Sequence, residues 1–201
     1  MTAGLWSHAS WIGSARLSLA LLVLAFGVAP LPASADDKAD AIALVQTVHQ
    51  AAISPGPAEA QHKSISRAFD GKGIARAVLG TYWRSASADD RAAVVDALLD
   101  AIASGLADRL ERTRDQNFVV LGTKVLANGD ILVRSEFRRP VRRPKAVDWR
   151  VRRCGGRLCI GDVLVDGGSV TVQKRDRVAD RLAGNGGSIP ALVVDLRKGR
   201  I

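Results

Sequence analysis

The chain has 201 residues, of which 47% are hydrophobic, 24% charged and only 4% aromatic. This balance is that of a packed globular protein and excludes an intrinsically disordered chain, which carries fewer hydrophobic residues. The length fits one domain with a mainly aliphatic core, and the formal net charge of +9 points to anionic partners.

The first 35 residues have the pattern of a secretory signal peptide. Arg16 is their only Lys, Arg, Asp or Glu residue, and it precedes an apolar run that ends in the small residues "ASA". The run is shorter than the roughly 20 residues of a membrane span, and Pro30 interrupts it. We therefore expect cleavage after Ala35, export out of the cytoplasm, and a mature single domain of residues 36–201.

Export affects how the charge and the two cysteines are interpreted. Cleavage would leave 28 of the 29 Lys and Arg residues against 20 Asp and Glu residues. Outside the cytoplasm, such a surface meets anionic lipid head groups or acidic proteins rather than nucleic acid. In an oxidising compartment Cys154 and Cys159, the only cysteines, are expected to form a disulfide.

The first half of the mature chain reads as helices. The segment 36–53 places apolar residues at three- and four-residue spacing, and "SPGP" ends it. Ser87, with Asp90 three residues later, is a weak capping box that begins the longest helix. Its apolar stripe is expected to bury against another element and consists of Val95, Leu98, Ile102, Leu106 and Leu110.

An antiparallel meander follows from residue 117. Asn128-Gly129 is a strong hairpin signal, and the alternation after it puts Ile131, Val133 and Phe137 on one face. "PVRRPKA" is predicted to loop out, after which Val147, Trp149 and Val151 return to the same face. On the last strand a bulge at Gly161 would keep Val163 and Val165 inward and Asp162 off the apolar face.

The cysteines flank the turn between the last two strands. A two-residue turn at Gly155-Gly156 sets Cys159 opposite Arg152, whereas a four-residue loop sets it opposite Cys154, and the disulfide favours the longer loop. Both cysteines are expected on the solvated, arginine-bearing face. Two helices then complete the chain, the second starting at Ser188. The fold class is α+β, a curved antiparallel sheet of about four strands packed against N- and C-terminal helices.

Few residues suggest chemistry. One C-x4-C pair with distant histidines is not a zinc pattern, no C-x-x-C motif is present, and no G-x-S-x-G motif supports a nucleophile. We predict no metal, no cofactor and no catalytic residue. His49, beside the apolar stripe of the first helix, is interpreted as a packed or half-exposed side chain without a functional role. Asp162 is either a turn carboxylate bonded to backbone or, in the enzyme alternative, a general base near an apolar surface.

Four stretches together resemble the MlaC family of periplasmic phospholipid-binding proteins. They are "RAFDGKGIARAVLGTYWRSASADDR", "VRSEFRRP", "VDWRVRRC" and "DVLVDGGSVTVQKRDRVADRLAGNGGSIPALVVDLR", in this order and over about residues 66–198. The resemblance implies a carrier, without catalysis, that takes phospholipid between an outer-membrane lipoprotein complex and an inner-membrane ABC transporter complex. It also implies acyl chains in an interior apolar pocket between sheet and helices. Separately from the resemblance, the basic cluster "RRPVRRPK", with Arg150, Arg152, Arg153 and Arg157, predicts either a solvated strand face or transient contact with anionic membranes.

The resemblance places Tyr82 and Trp83, after the "LG" motif, together with Trp149 and "VDGGS" at positions that line or shape the pocket. Two alternatives stay open, a hopanoid-associated carrier of the similar HpnM branch and an enzyme that uses Asp162. The pattern also fits a filled core as well as a hollow one. The predicted lipid-binding residues are Leu79, Tyr82, Trp83, Val95, Leu98, Ile102, Ile131, Val133, Phe137, Val147, Trp149, Val151, Val163 and Val165.

Overall fold

The order of elements is helices, then a meander, then helices, as predicted. The computed structural model describes residues 35–201, so the predicted signal peptide lies outside the described residues except for Ala35. The helices are α1 (Ala35–Ile53), α2 (Ala58–Ala68), α3 (Gly71–Leu79), α4 (Tyr82–Ser85), α5 (Ala88–Glu111), α6 (Val170–Gly184) and α7 (Ile189–Arg197). The strands are β1 (Asn117–Val125), β2 (Ile131–Arg139), β3 (Arg142–Cys154), β4 (Arg157–Val165) and β5 (Gly168–Ser169).

Side-chain caps fix where several helices begin. Ser87 accepts a hydrogen bond from the Asp90 backbone N–H at 3.0 Å, and Ser188 accepts one from Ala191, so both predicted starts are confirmed. Ser169 caps α6 in the same way, and α6 therefore begins earlier than its apolar pattern indicates. None of the helices within residues 35–201 has the length and apolar character needed to cross a membrane.

The five strands form one antiparallel sheet in chain order, the fifth being a two-residue strand beyond the four predicted. We call the side that the helices cover the inner face. Its centre is formed by the predicted residues of β2 and β3, because strand alternation turns them all one way. These residues are Ile131, Val133, Phe137, Val147, Trp149 and Val151.

The bulge predicted at Gly161 is confirmed. Arg150 pairs with Asp162 and Val151 with Ile160, which leaves Gly161 without a partner on β3. The extra residue shifts the alternation by one, so that Val163 stands opposite Trp149 on the inner face. Asp162 consequently lies on the outer face.

Two turn predictions are wrong. The segment "PVRRPKA" is not a loop, because β2 runs to Arg139 and β3 starts at Arg142, with Pro140 and Val141 as the whole turn. Gly155 and Gly156, both with positive φ, form a two-residue turn between β3 and β4 rather than a four-residue loop. In both places strand pairing continues as far as the backbone of the turn allows.

The long helix α5 buries its stripe against other helices rather than against the sheet. It packs on α1, α2, α3 and α7, while α1, α2, α3 and α6 contact the strands. Its most buried side chains are Val94, Ala97, Leu98, Ala103 and Leu110, whereas Val95, Ile102 and Leu106 are only half-buried. Two alanines among them allow close approach of neighbouring helices, which hydrophobic spacing alone does not reveal.

Candidate functional site

The predicted lipid-binding residues divide into a buried centre and a half-buried margin. All fourteen belong to the helix-covered side of the sheet or to helices α3, α4 and α5. Buried are Leu79, Leu98, Ile131, Val133, Phe137, Val147, Trp149 and Val151. Half-buried are Tyr82, Trp83, Val95, Ile102, Val163 and Val165.

The centre of the inner face is filled. Val133, Trp149 and Val151 have 0% of their surface exposed, so protein atoms surround them without a gap of solvent size. The Trp149 indole Nε1 donates a hydrogen bond to the Ser135 hydroxyl at 3.1 Å. The sequence did not decide whether the interior is hollow or filled. The structure shows that it is filled at these positions.

A surface cavity of about 490 Å³ opens where α1 meets the start of β1. We call it the mouth. Its lining is mostly polar, with side-chain amides at the rim and one imidazole and one phenyl ring deeper in. The lining residues are Gln46, His49, Gln50, Asn117 and Phe118.

Aromatic rings connect the mouth to the inner face. The His49 ring stacks on Phe118 with centroids 4.3 Å apart, and Phe118 lies 5.0 Å from the ring of Phe137, which is buried on the inner face. Burial lowers the pKa of His49 below its ordinary 6.5, so the imidazole is neutral near pH 7 and packs as an aromatic ring. The surroundings thus change from polar amides at the surface to packed aromatic rings that reach the buried Phe137.

The mouth was missed in the sequence because its residues come from distant segments. His49 was interpreted as packed or half-exposed and without a function. The structure buries it, and its stacking on a cavity-lining ring was not anticipated. The available signal was Gln46 and Gln50, which follow the helical spacing beside His49 on α1. Nothing in the sequence indicated that Asn117 and Phe118 would meet them.

Tyr82 and Trp83 lie on the short helix α4, between α3 and α5. Arg91 donates a hydrogen bond from Nε to the Trp83 carbonyl oxygen at 2.9 Å, and its guanidinium lies 5.4 Å from the ring centroid. The Tyr82 ring packs against the loop that contains Gly187. Both aromatic residues therefore anchor the connection between helices, and the described contacts do not place them at the mouth.

The Asp162 carboxylate is held by hydrogen bonds to nearby backbone and hydroxyl groups. Its Oδ1 accepts hydrogen bonds from the backbone N–H groups of Val163 at 2.9 Å and Thr171 at 3.0 Å, and Oδ2 accepts one from the Ser169 hydroxyl at 2.5 Å. The carboxylate thereby ties the bulge of β4 to the start of α6, where the helix dipole favours a negative charge. These contacts match the interpretation of Asp162 as a turn carboxylate bonded to backbone. They place it on the outer face, away from the mouth.

The disulfide between Cys154 and Cys159 is present, with Cα atoms 6.1 Å apart. The cysteines share one face, as predicted, but Cys159 pairs with Arg152 and the bond runs diagonally across the two strands. Cys159 is fully buried rather than solvated. Among residues 35–201, no group of three or more His, Cys, Asp or Glu side chains is arranged to hold a metal ion.

Comparisons with known proteins agree with this architecture. The profile of the family described as "MlaC protein" matches residues 41–198, which is more than half of the chain. A solved structure of a phospholipid-binding protein from Ralstonia solanacearum, in complex with a phospholipid, has a similar fold with a TM-score of 0.67. The two are 20% identical over 81% of this chain and 95% of the other. No curated protein matches. The chain belongs to the MlaC family.

Proposed function

We propose that this MlaC family protein is a periplasmic carrier of phospholipid that works without catalysis. It takes lipid between an outer-membrane lipoprotein complex and an inner-membrane ABC transporter complex and so maintains the lipid asymmetry of the outer membrane. Family membership and the similarity to a phospholipid-binding protein support phospholipid as the cargo. The observation that carries the proposal is the row of ring contacts from His49 through Phe118 to Phe137, which joins the polar mouth to the apolar inner face.

The location belongs to the same proposal. Residues 1–35 act as a cleaved signal peptide and release the domain into the periplasm. The disulfide supports an oxidising compartment, since such bonds are rare in the cytosol of mesophiles. The excess of positive charge suits a protein that works between two anionic membrane surfaces.

A carrier must shield acyl chains from water. Two long chains cost on the order of 20 kcal/mol when exposed, at roughly 0.8 kcal/mol per methylene. We propose that the chains enter past Phe118 and lie along the inner face, while the head group stays at the amides of the mouth. Because the centre is packed, we propose that α1, which lines the mouth and contacts β1, β2 and β4, moves outward to admit them. Its ends are held by Arg114, which donates a hydrogen bond to the Ile53 carbonyl oxygen at 2.9 Å, and by the Asp37–Arg153 ion pair.

Native mass spectrometry of the exported protein tests the proposal. We expect a fraction of the purified protein to carry bound phospholipid, and delipidated protein to regain it from vesicles. Protein that is repeatedly free of lipid and takes none up from vesicles would contradict the carrier. A hopanoid in place of phospholipid would favour the HpnM-like alternative, so the mass of the co-purifying lipid also decides the cargo.

A further inference from the structure

The hairpin between β2 and β3 ends in an unusually basic tip. Residues 138–145, here called the arginine hairpin, contain four arginines, one lysine, two prolines and one valine, without an acidic residue. All eight are exposed, and Val141 at the apex is fully exposed. An aliphatic side chain surrounded by cations therefore stands at the most protruding point of the turn.

Val141 occupies a conformation that valine rarely adopts. Its φ is +65°, a region that favours glycine or asparagine and is costly for a β-branched side chain. Pro140 precedes it, which suits the first central position of a tight turn, where glycine or asparagine would normally follow. An apolar residue kept in a strained position at an exposed apex indicates a role for its side chain.

The positive charges of the hairpin are available to an outside partner. Arg138 is paired with Glu136. Within residues 35–201 none of the ion pairs involves Arg139, Arg142, Arg143 or Lys145. These four side chains are therefore hydrated and ready to meet anions.

The hairpin lies at the same end of the sheet as the mouth. Asn117 and Phe118, two residues of the mouth, pair with Arg138 and Phe137 on β2. The arginine hairpin begins with Arg138, so the β-ladder links its base directly to the rim of the mouth. A surface that binds the hairpin is thereby brought next to the opening.

We propose that the arginine hairpin docks on the surface of an anionic phospholipid bilayer, with arginines on lipid phosphates and Val141 inserted between head groups. This inference rests on the proposed carrier function and adds how the mouth meets the membrane. Arginine matches phosphate geometry, and an apolar side chain among basic ones suits a membrane interface. An acidic protein partner is less suited, since eight residues at a turn provide much less than the roughly 1,000 Å² of a specific interface.

Vesicle co-sedimentation of the exported, mature protein tests the inference. Wild-type protein should bind vesicles of phosphatidylglycerol in phosphatidylcholine and bind pure phosphatidylcholine weakly. Arg142→Gln with Arg143→Gln should weaken anionic binding about 30-fold, from the contribution of each basic residue near such a surface. Arg175→Gln with Arg177→Gln, an exposed pair on α6, removes the same charge elsewhere and should change binding much less.

A second variant separates the apolar apex from charge. Val141→Gly keeps the turn, because glycine adopts positive φ freely, and removes only the side chain. It should weaken binding on the order of tenfold. The inference would be overturned if the hairpin and α6 double variants lose vesicle binding equally, or if both hairpin variants bind vesicles as the wild type does. It would also be overturned if the hairpin variants keep their vesicle binding and lose binding only to an acidic protein.

Lipid content distinguishes this inference from the proposed function. Hairpin variants should retain phospholipid in native mass spectrometry as well as the wild type does, while failing to bind vesicles. Absence of lipid in the wild type contradicts the carrier, whereas lipid-loaded variants that still bind vesicles contradict the docking role alone.

Discussion

The Trp149 indole and the Ser135 hydroxyl form a buried hydrogen bond, Nε1 to Oγ at 3.1 Å, in the middle of the apolar inner face. Both residues have 0% of their surface exposed, and Ser135 in turn donates to the Val147 carbonyl oxygen. The Ser135 hydroxyl is thus the hydrogen-bond partner of the indole N–H, the one polar group on Trp149, which is the largest buried side chain. The pair therefore fixes the orientation of the tryptophan that fills the centre of the sheet.

Ser135→Ala should lower the free energy of unfolding by about 1–3 kcal/mol, because the indole N–H would stay buried without a partner. Urea unfolding measures the change. Ser66→Ala is the matched control, since the Ser66 hydroxyl is buried without a hydrogen-bond partner and its loss should cost little. Equal destabilisation by the two substitutions would show that the Ser135 hydrogen bond contributes nothing.

Gly71→Ala should destabilise the packing of α3 on α5. A Cβ at Gly71 would lie 2.7 Å from Leu99 Cδ1 and 3.1 Å from Val95 Cγ1, and overpacking of this kind costs about 1–3 kcal/mol. Gly105→Ala on α5 meets no atom within 4 Å and should stabilise the helix by up to about 1 kcal/mol. Thermal unfolding should therefore move in opposite directions for the two variants, and a shared direction would contradict the close α3–α5 contact.

Asp195 should make the fold sensitive to acid. The buried carboxylate accepts hydrogen bonds from Arg181 and Arg200, which hold its pKa below the ordinary 3.8. Its stabilising contribution is complete above pH 3.8 and is lost as the pH falls through the lower folded-state pKa. The difference in free energy of unfolding between wild type and Asp195→Asn, measured by urea unfolding, should therefore shrink as the pH falls below 3.8. Asp176→Asn, an exposed aspartate on α6, controls for the loss of one carboxylate, and a constant difference for Asp195 would refute the prediction.

Phe118→Ala should impair lipid binding if the mouth is the entrance. The ring links His49 to Phe137, and its loss removes apolar contact along the path, so we expect about tenfold weaker phospholipid uptake from vesicles. Leu121→Ala alters an exposed side chain at the bulge of the same strand and should leave uptake unchanged. Circular dichroism of both variants checks that they fold. Normal uptake by folded Phe118→Ala would place the entrance elsewhere.

Local chemistry decided most of the elements that the sequence predicted correctly. The Ser87 and Ser188 caps, the Asn128-Gly129 hairpin and the bulge at Gly161 each depend on a few neighbouring residues. The prediction of a four-residue loop between the cysteines was wrong because two strand registers were each compatible with the sequence. The Gly155-Gly156 turn allowed the tighter register, in which a diagonal disulfide still fits.

The sequence by itself determined the α+β order and the inward face of β2, β3 and β4, because these follow from spacing along the chain. Its motifs also carried the resemblance to the MlaC family. Only the tertiary structure decided which helices cover the sheet, that its centre is filled, and that Gln46, His49, Asn117 and Phe118 meet at a cavity. Hydrophobic spacing specifies that a face is buried but not against which partner. The mouth depends on contacts between segments about 70 residues apart, and such contacts arise only when the helices pack on the sheet.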